Sequence, residues 1–329
     1  MPATLKEVAV LAGVSRSAVS RCFTEGASIS PATRAKILKA ADQLGYRPNA
    51  LASSLTTGRT KLIGLISDNF HNPIFLEVFD HFTRGLQSRG LRPLLVNLSG
   101  ETDPANSLRL LQQYSVDAAI VASSTLPVSF AESFAAAGVP VVHSFGRHTA
   151  RPKVNTVGID NQEAGRLAAK ALLARGYAKI AMLAGPESAT STQDRLYGFL
   201  NELKSTSGIE VTTSFASAYS YDAGYAEMSR LIAAGSLAEG YFCGDDVLSI
   251  GTLAALQEHG ISVPKDVGLI GFNDMAMSRW GNIALTTIRQ PIDDVVRLSV
   301  EMVEAMLAGP REPKAHLLPC ELIERKTLP

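Results

Sequence analysis

The chain has 329 residues, 46% of them hydrophobic, and its 31 basic and 31 acidic side chains leave no net charge. That length allows two or three domains with sizeable cores, while no apolar run approaches a membrane span. Met1-Pro2-Ala3-Thr4 leads into a polar helix without the apolar core of an export signal. Cys22, Cys243 and Cys320 lie too far apart for metal or disulfide spacing, so incidental thiols in a reducing cytoplasm are expected.

Three short helices come first, each with a marked start. Thr4 and Glu7 form a capping box ahead of Leu5-Lys6-Glu7-Val8-Ala9. Ser15 is an N-cap after the Gly13 turn, and Ser30 caps a third helix with Pro31 at its first position. Leu5, Val8 and Leu11 are expected to cover a small core, with Ala9 and Val19 letting the first two helices approach. Two helices joined by a tight glycine turn make a helix-turn-helix, a DNA-binding motif. Nine basic residues stand against three acidic ones in residues 1–61, a net of +6, so the remainder carries −6. A basic head on an acidic body fits a nucleic-acid contact confined to one end.

The head closes at Leu44-Gly45-Tyr46-Arg47-Pro48, where Gly45 suits a left-handed helix terminus and Pro48 stops the helix. Asn49 to Leu55 could form only two helical turns, which are marginal alone, and Thr56-Thr57-Gly58-Arg59-Thr60 reads as a linker. The expected domains are therefore a head over 1–46, a hinge over 47–60 and a body over 61–329.

From Lys61 apolar strands alternate with amphipathic helices. The strands include 62–66, 94–97, 118–121, 139–142, 154–159, 180–183, 211–215, 240–243 and 267–271. The helices include 73–89, 103–114, 162–175, 194–205, 222–234 and 247–258. This alternation predicts parallel sheets, too many strands for one, hence two α/β lobes with a ligand cleft at the strand ends. The N-lobe is placed at about 61–159 and 289–317, the C-lobe at about 160–288 and 318–329.

Specific segments resemble the lactose- and purine-repressor (LacI/GalR) family of bacterial transcription regulators over essentially the full length. They are Thr4-Leu5-Lys6-Glu7-Val8-Ala9, Ala12-Gly13-Val14-Ser15 with Val19-Ser20-Arg21, and Leu44-Gly45-Tyr46-Arg47-Pro48-Asn49-Ala50-Leu51-Ala52-Ser53-Ser54-Leu55. Asn72-Pro73-Ile74-Phe75, Gly185-Pro186, Arg195-Leu196-Tyr197-Gly198-Phe199, Gly271-Phe272-Asn273-Asp274 and Leu285-Thr286-Thr287-Ile288 follow downstream. The resemblance implies an all-α helix-turn-helix head and a periplasmic-binding-protein-like body of two parallel-sheet lobes. It further implies a repressor that binds a pseudo-palindromic operator as a homodimer, with a small effector between the lobes and no cofactor.

By the same resemblance, base-reading positions fall on Arg16, Ser17 and Arg21. Phosphate-contacting positions fall on Ser15, Ser20 and Thr24, the last replacing the family's usual Asn; Asn49 belongs to the same DNA-binding set. Arginines can read guanine bidentately, so G·C pairs are expected in each half-site. Leu55 matches the leucine that wedges into the minor groove at the operator centre. No heptad zipper or leucine-heptad tail is present, so a dimer formed by the body is expected.

Effector candidates are Asp68, Asn72 and Phe75 after the first strand, Ser124 after the third, Arg147, and Arg195 at a helix opening. Tyr219, Asp245, Asn273, Asp274 and Gln290 join them. Of these, Phe75, Arg195, Tyr219, Asp245 and Asn273 match pocket-lining positions of the family. Such a mixture suits a polyhydroxylated ligand, with rings stacking on its apolar face. Asn273 stands where many sugar-binding relatives carry Asp, so Asp274 could supply the carboxylate. Arg147 and Arg195 keep a sugar acid in contention, with a nucleobase behind. Asp160 and Asp246 read as helix caps, Trp280 and Met275 as packing residues, and the six histidines lack metal spacing. An enzyme or a solute-binding protein of the same architecture is the alternative, although no nucleophile elbow, Walker loop or dinucleotide motif appears.

Overall fold

The computed structural model describes residues 3–24, 26–49, 54, 57–98 and 103–329, which form two compact units, 1–60 and 61–329. The first unit holds α1 (Leu5–Ala12), α2 (Arg16–Phe23) and α3 (Pro31–Gln43). All three caps form as expected. Thr4 N–H donates to Glu7 Oε2 at 2.7 Å while Glu7 N–H donates to Thr4 Oγ at 3.3 Å. Ser15 and Ser30 accept from the amides of Ala18 and Thr33, each at 3.2 Å. Gly13 and Gly45 take the left-handed conformation, at φ 65° and 62°. Val8, Ala9, Ala18, Val19, Cys22, Ile37, Ala40, Ala41 and Tyr46 make the core. Leu11 does not join it and is half exposed. The inward stripe of α1 runs through 5, 8, 9 and 12, which leaves position 11 at its edge. The expected hinge helix and its Leu55 lie largely outside the described residues.

The second unit contains two six-stranded sheets. The first has the order β11-β5-β4-β3-β1-β2, with β1 (Leu62–Ser67), β2 (Arg92–Asn97), β3 (Ala118–Ala122), β4 (Val141–Ser144), β5 (Asn155–Ile159) and β11 (Ala315–Leu318) all parallel. The second has the order β12-β10-β9-β8-β6-β7, formed by β6 (Lys179–Ala184), β7 (Glu210–Phe215), β8 (Gly240–Cys243), β9 (Gly268–Asn273), β10 (Thr286–Arg289) and β12 (Glu321–Ile323). Among the described residues only β12 runs antiparallel to its neighbour, β10. Every residue of β3 and β9 is buried, because helices cover both faces, whereas the edge strand β7 alternates outward.

In the first lobe, α4 (Ile74–Gln87) and α11 (Ile292–Ala308) cover one sheet face. α5 (Pro104–Gln113) and α6 (Val128–Ala136) cover the other. In the second lobe, α7 (Asn161–Ala174) and α8 (Thr190–Lys204) lie on one side, with α9 (Tyr221–Ala233) and α10 (Asp246–Glu258) opposite. The chain crosses between lobes three times, at 159–161, 289–292 and 318–321. No helix among the described residues is long and apolar enough to cross a membrane.

One helix starts earlier than its sequence suggests. α8 begins at Thr190 rather than 194, with Ala189 at its N-cap and no side-chain cap. Its first amides find partners in the other lobe: Ser191 N–H donates to the Ser124 carbonyl at 3.1 Å and Thr190 N–H to that of Thr125 at 3.4 Å. A cap supplied from 66 residues away leaves no local signal.

Candidate functional site

In the head, α2 divides cleanly by face. Ala18, Val19 and Cys22 are buried, while Arg16, Ser17, Ser20, Arg21 and Thr24 are exposed along one stripe. Ser15 precedes them, its hydroxyl 2.9 Å from that of Ser17, and Thr24 Oγ donates to the Ser20 carbonyl at 2.9 Å. Arg34 braces the end of α2 from α3, donating to the Cys22 carbonyl at 3.0 Å. The two arginines of α2 therefore project from a fixed helix face, the geometry that major-groove reading requires. Asn49 is also exposed.

In the body, the C-terminal ends of the central strands face one another across a cleft. Asn69, Asn72, Ile74, Phe75, Val78, Ser124 and Phe145 line it from the first lobe; Arg195, Tyr219, Asp245, Asn273 and Gln290 complete the ring. The space enclosed is about 20 Å³, close to what one water needs. Asp245 is the hub. It caps α10 by accepting from Val247 N–H at 2.8 Å, and its Oδ2 accepts from Asn72 Nδ2 and Asn273 Nδ2, each at 2.8 Å. Gln290 Nε2 extends the chain to Asn273 Oδ1 at 2.6 Å. Burial pushes the Asp245 carboxyl up to about 6, against the amide bonds that hold it down.

Arg195 is 4% exposed and firmly held. Its Nε donates to Asn161 Oδ1 at 2.8 Å, its Nη1 to the Gly244 carbonyl at 2.5 Å, and its guanidinium lies 3.7 Å from the centroid of the Phe272 ring. α7 and α8 can approach this closely because of glycine: a Cβ on Gly165 would lie 2.0 Å from the Arg195 carbonyl oxygen. Tyr219 is placed by Thr192, their hydroxyls 2.6 Å apart. The backbone is strained at the rim, where Phe145, Asn273 and Asp274 take φ of 65°, 118° and 57°. Such conformations in non-glycine residues concentrate at functional sites.

Eight of the eleven effector candidates thus converge on one cleft: Asn72, Phe75, Ser124, Arg195, Tyr219, Asp245, Asn273 and Gln290. Three do not. The Asp274 carboxylate is wholly buried against Arg279, Arg289 and Arg325, with Arg289 Nε at 2.7 Å, so it has no lone pair left for a ligand. Burial alone would raise its pKa, but hydrogen bonds from Arg325 and Arg289 outweigh that and leave it lowered. Arg147 is tied to Asp194 at 2.7 Å and faces a separate chamber of about 290 Å³ beside the crossovers. Asp68 accepts from the Thr125 hydroxyl through one carboxylate oxygen, while the other is buried without a hydrogen-bond partner.

The capping assignments change too. Asp245, not Asp246, is the N-cap of α10. Asp246 is fully buried, accepting from Met275 N–H at 2.8 Å and from the Thr287 hydroxyl at 2.5 Å; burial holds its pKa well above the ordinary value. Asp160 does cap α7. Met275 packs in the core, but Trp280 is half exposed. Sequence reasoning missed Asn161, Thr192 and Phe145. The first two act through another side chain, and only their position at strand ends or helix openings could have flagged them. No group of metal-ligating side chains occurs among the described residues.

A basic three-helix head with an exposed reading face, on a chain that also folds a two-lobed body around a polar cleft, defines a DNA-binding regulator under small-molecule control. Known proteins agree. Residues 4–49 match the family described as bacterial regulatory proteins, lacI family, and residues 169–328 match the periplasmic binding protein-like domain. The HTH-type transcriptional repressor PurR of Edwardsiella ictaluri (strain 93-146) is 30% identical over 332 residues, covering 99% of this chain and 97% of its own. PurR of Proteus mirabilis (strain HI4320) is 29% identical over 334 residues, covering 99% and 97%. The Lac repressor dimer bound to operator and the anti-inducer ONPF superposes with a TM-score of 0.88 at 26% identity, covering 99% of both chains. The transcriptional regulator CelR–cellobiose complex gives 0.73 at 28%, again covering 99% of both. The chain belongs to the LacI family. It is a DNA-binding transcriptional repressor rather than an enzyme, with operator DNA, a small effector and a second copy of itself as partners.

Proposed function

We infer that this repressor is a cytoplasmic regulator whose effector is a small neutral polyhydroxylated molecule, a sugar, held in the cleft around Asp245. One observation carries the reading: among the described residues the cleft gathers three amides around one shared carboxylate, and its one cation, Arg195, is anchored by two hydrogen bonds and a ring contact. Asn72, Asn273 and Gln290 provide paired donors and acceptors around Asp245, suited to vicinal hydroxyls. Phe75, Phe145 and Tyr219 provide apolar ring faces. A sugar acid is best held by a free guanidinium fork; Arg147 lies outside the cleft, and Arg195 has its Nε and Nη1 turned to Asn161 and the Gly244 carbonyl, which favours a neutral ligand. Similar structures are named as complexes with cellobiose and, at 25% identity and a TM-score of 0.70, with D-xylulofuranose. In the head, Arg16, Ser17 and Arg21 read bases, Ser15, Ser20, Thr24 and Asn49 grip the backbone, and Leu55 enters the minor groove between paired hinges. Effector binding releases the operator, as induction by a catabolic substrate requires.

The test is thermal unfolding against a panel of neutral sugars, sugar acids and nucleobases. A bound ligand stabilises by about 2.7 kcal/mol at a hundredfold excess over its Kd. A neutral sugar should raise the midpoint, and Asp245→Asn should abolish the shift. A shift confined to sugar acids or nucleobases overturns the reading.

A further inference from the structure

The cleft encloses about 20 Å³, far less than a sugar ring fills, so entry of any effector parts the lobes. Besides the Asn72–Asp245 bond and Met275, which packs in the first lobe's core cluster, the polar contacts that join them gather at the start of α8. Ser191 N–H and Thr190 Oγ both donate to the Ser124 carbonyl at 3.1 Å, and Thr190 N–H donates to the Thr125 carbonyl. Arg147 reaches across from the loop after β4. Its Nε donates to Asp194 Oδ2 at 2.7 Å, and its Nη2 to the Thr190 carbonyl at 3.0 Å and to Gln193 Oε1 at 3.1 Å. One arginine of the first lobe thus grips three of the first five residues of α8, while first-lobe carbonyls cap the same helix start.

We propose that Arg147, Asp194 and the Ser124–Thr125 carbonyls form a clasp that holds the lobes together and sets how readily the cleft opens to its effector. The clasp shares Ser124 with the ligand-lining set and otherwise lies beside it. Ser124 carries a clasp carbonyl and also lines the cleft; Asp194 precedes Arg195, which lines it too. Arg147 and Asp194 instead border the chamber beside the crossovers, their side chains 33% and 19% exposed, so water can replace the ion pair when the lobes part. The clasp and the Asp245–Asn72 bond break together on opening, because both join the same two rigid lobes. Arg147 is therefore a positioning residue. A stronger clasp lowers apparent effector affinity by reducing the open population, and a weaker one raises it.

The regulatory consequence rests on the effector reading above; the clasp itself does not, and its test needs no effector. Hydrogen exchange is followed by mass spectrometry on the full chain with no ligand added, in the wild type, Arg147→Ala, Asp194→Ala and the double variant. Amide exchange at Thr190 and Ser191 should speed about three- to tenfold in each single variant, with no further gain in the double. The cleft segment 244–248 should speed in parallel, and α3 of the head should not change. Arg147→Lys, which keeps the charge but loses the fork, should fall between wild type and Arg147→Ala and serves if either alanine variant fails to fold. Unchanged exchange at Thr190 and Ser191 overturns the proposal. So does acceleration spread evenly over the whole chain, or single effects that multiply in the double variant.

Discussion

Asp245 Oδ2 and Asn72 Nδ2 stand 173 residues apart in sequence and 2.8 Å apart in space, joining the two lobes at the floor of the cleft. The same oxygen holds Asn273, so a ligand that displaces either amide must offer a donor in its place. Asn72→Ala should keep the fold, since it removes a neutral side chain that lines the cleft and no charge. It should weaken binding of the panel sugar about twofold to tenfold, the loss of its own amide–hydroxyl bond to the ligand outweighing the easier opening that follows loss of its bond to Asp245, read by isothermal calorimetry.

Two buried groups oppose one another in pH dependence. Asp245 is raised to about 6, chiefly by burial, so between its ordinary value and 6 the folded chain holds its proton more tightly than the unfolded one. The stability it contributes is greatest below that window and is lost as pH rises through it. His143 is lowered to about 4 by burial, and its contribution runs the other way: the unfolded chain takes the proton first, so stability grows as pH rises from 4 towards 6.5. Each effect amounts to about 3 kcal/mol across the window. Urea unfolding of Asp245→Asn should therefore show stability climbing with pH relative to wild type. His143→Gln should show it falling. Buried Asp246 is present in all three forms, and parallel curves would refute the pair.

A glycine makes room for Asp246. A Cβ on Gly271 would sit 2.3 Å from its Oδ1, 2.7 Å from Leu285 Cδ2 and 3.0 Å from Ser249 Oγ, all in a closed core. Gly271→Ala should cost about 2–4 kcal/mol in chemical denaturation, above the usual range for overpacking because a buried carboxylate must move as well.

Asp274 gathers three arginines, and removing it would leave them facing one another. Asp274→Ala should destabilise by about 2–3 kcal/mol, because Arg325 is left largely buried without its anion while the half-exposed Arg279 and Arg289 can turn to water. Effector affinity measured on the folded fraction should stay within about twofold, because the carboxylate does not line the cleft.

On the head, Arg16→Ala and Arg21→Ala should each cost about 1–3 kcal/mol and relax base preference at one operator position. Ser20→Ala should weaken all sequences alike. Selection of binding sites from random DNA, followed by anisotropy at fixed salt, separates the two behaviours.

What could be read in the sequence was what local chemistry encodes. Thr4, Ser15 and Ser30 announced their helices because each cap bonds within three residues, and the apolar strands announced two lobes because central strands are buried on both faces. The start of α8 stayed hidden because its cap is tertiary. The same limit explains the site. Asp245 and Asn273 could be picked out by position, but nothing in Phe272-Asn273-Asp274 says whether the amide or the acid faces the cleft. Arg279, Arg289 and Arg325 decide that, and they converge only when β9, β10 and the C-terminal strand are assembled. Arg147 looked like a ligand contact because its partner Asp194 lies 47 residues on.

The three passages of the chain between lobes bear on biosynthesis. α11 covers one face of the first sheet, β11 forms that sheet's edge and β12 the edge of the second, all contributed by residues 292–323. A ribosome that has made most of the body has therefore finished neither half. Both await the same late segment, so a nascent chain exposes two unfinished sheet edges and an uncovered apolar face together. Truncation or a frameshift near residue 290 should destroy both lobes at once, not spare the earlier one.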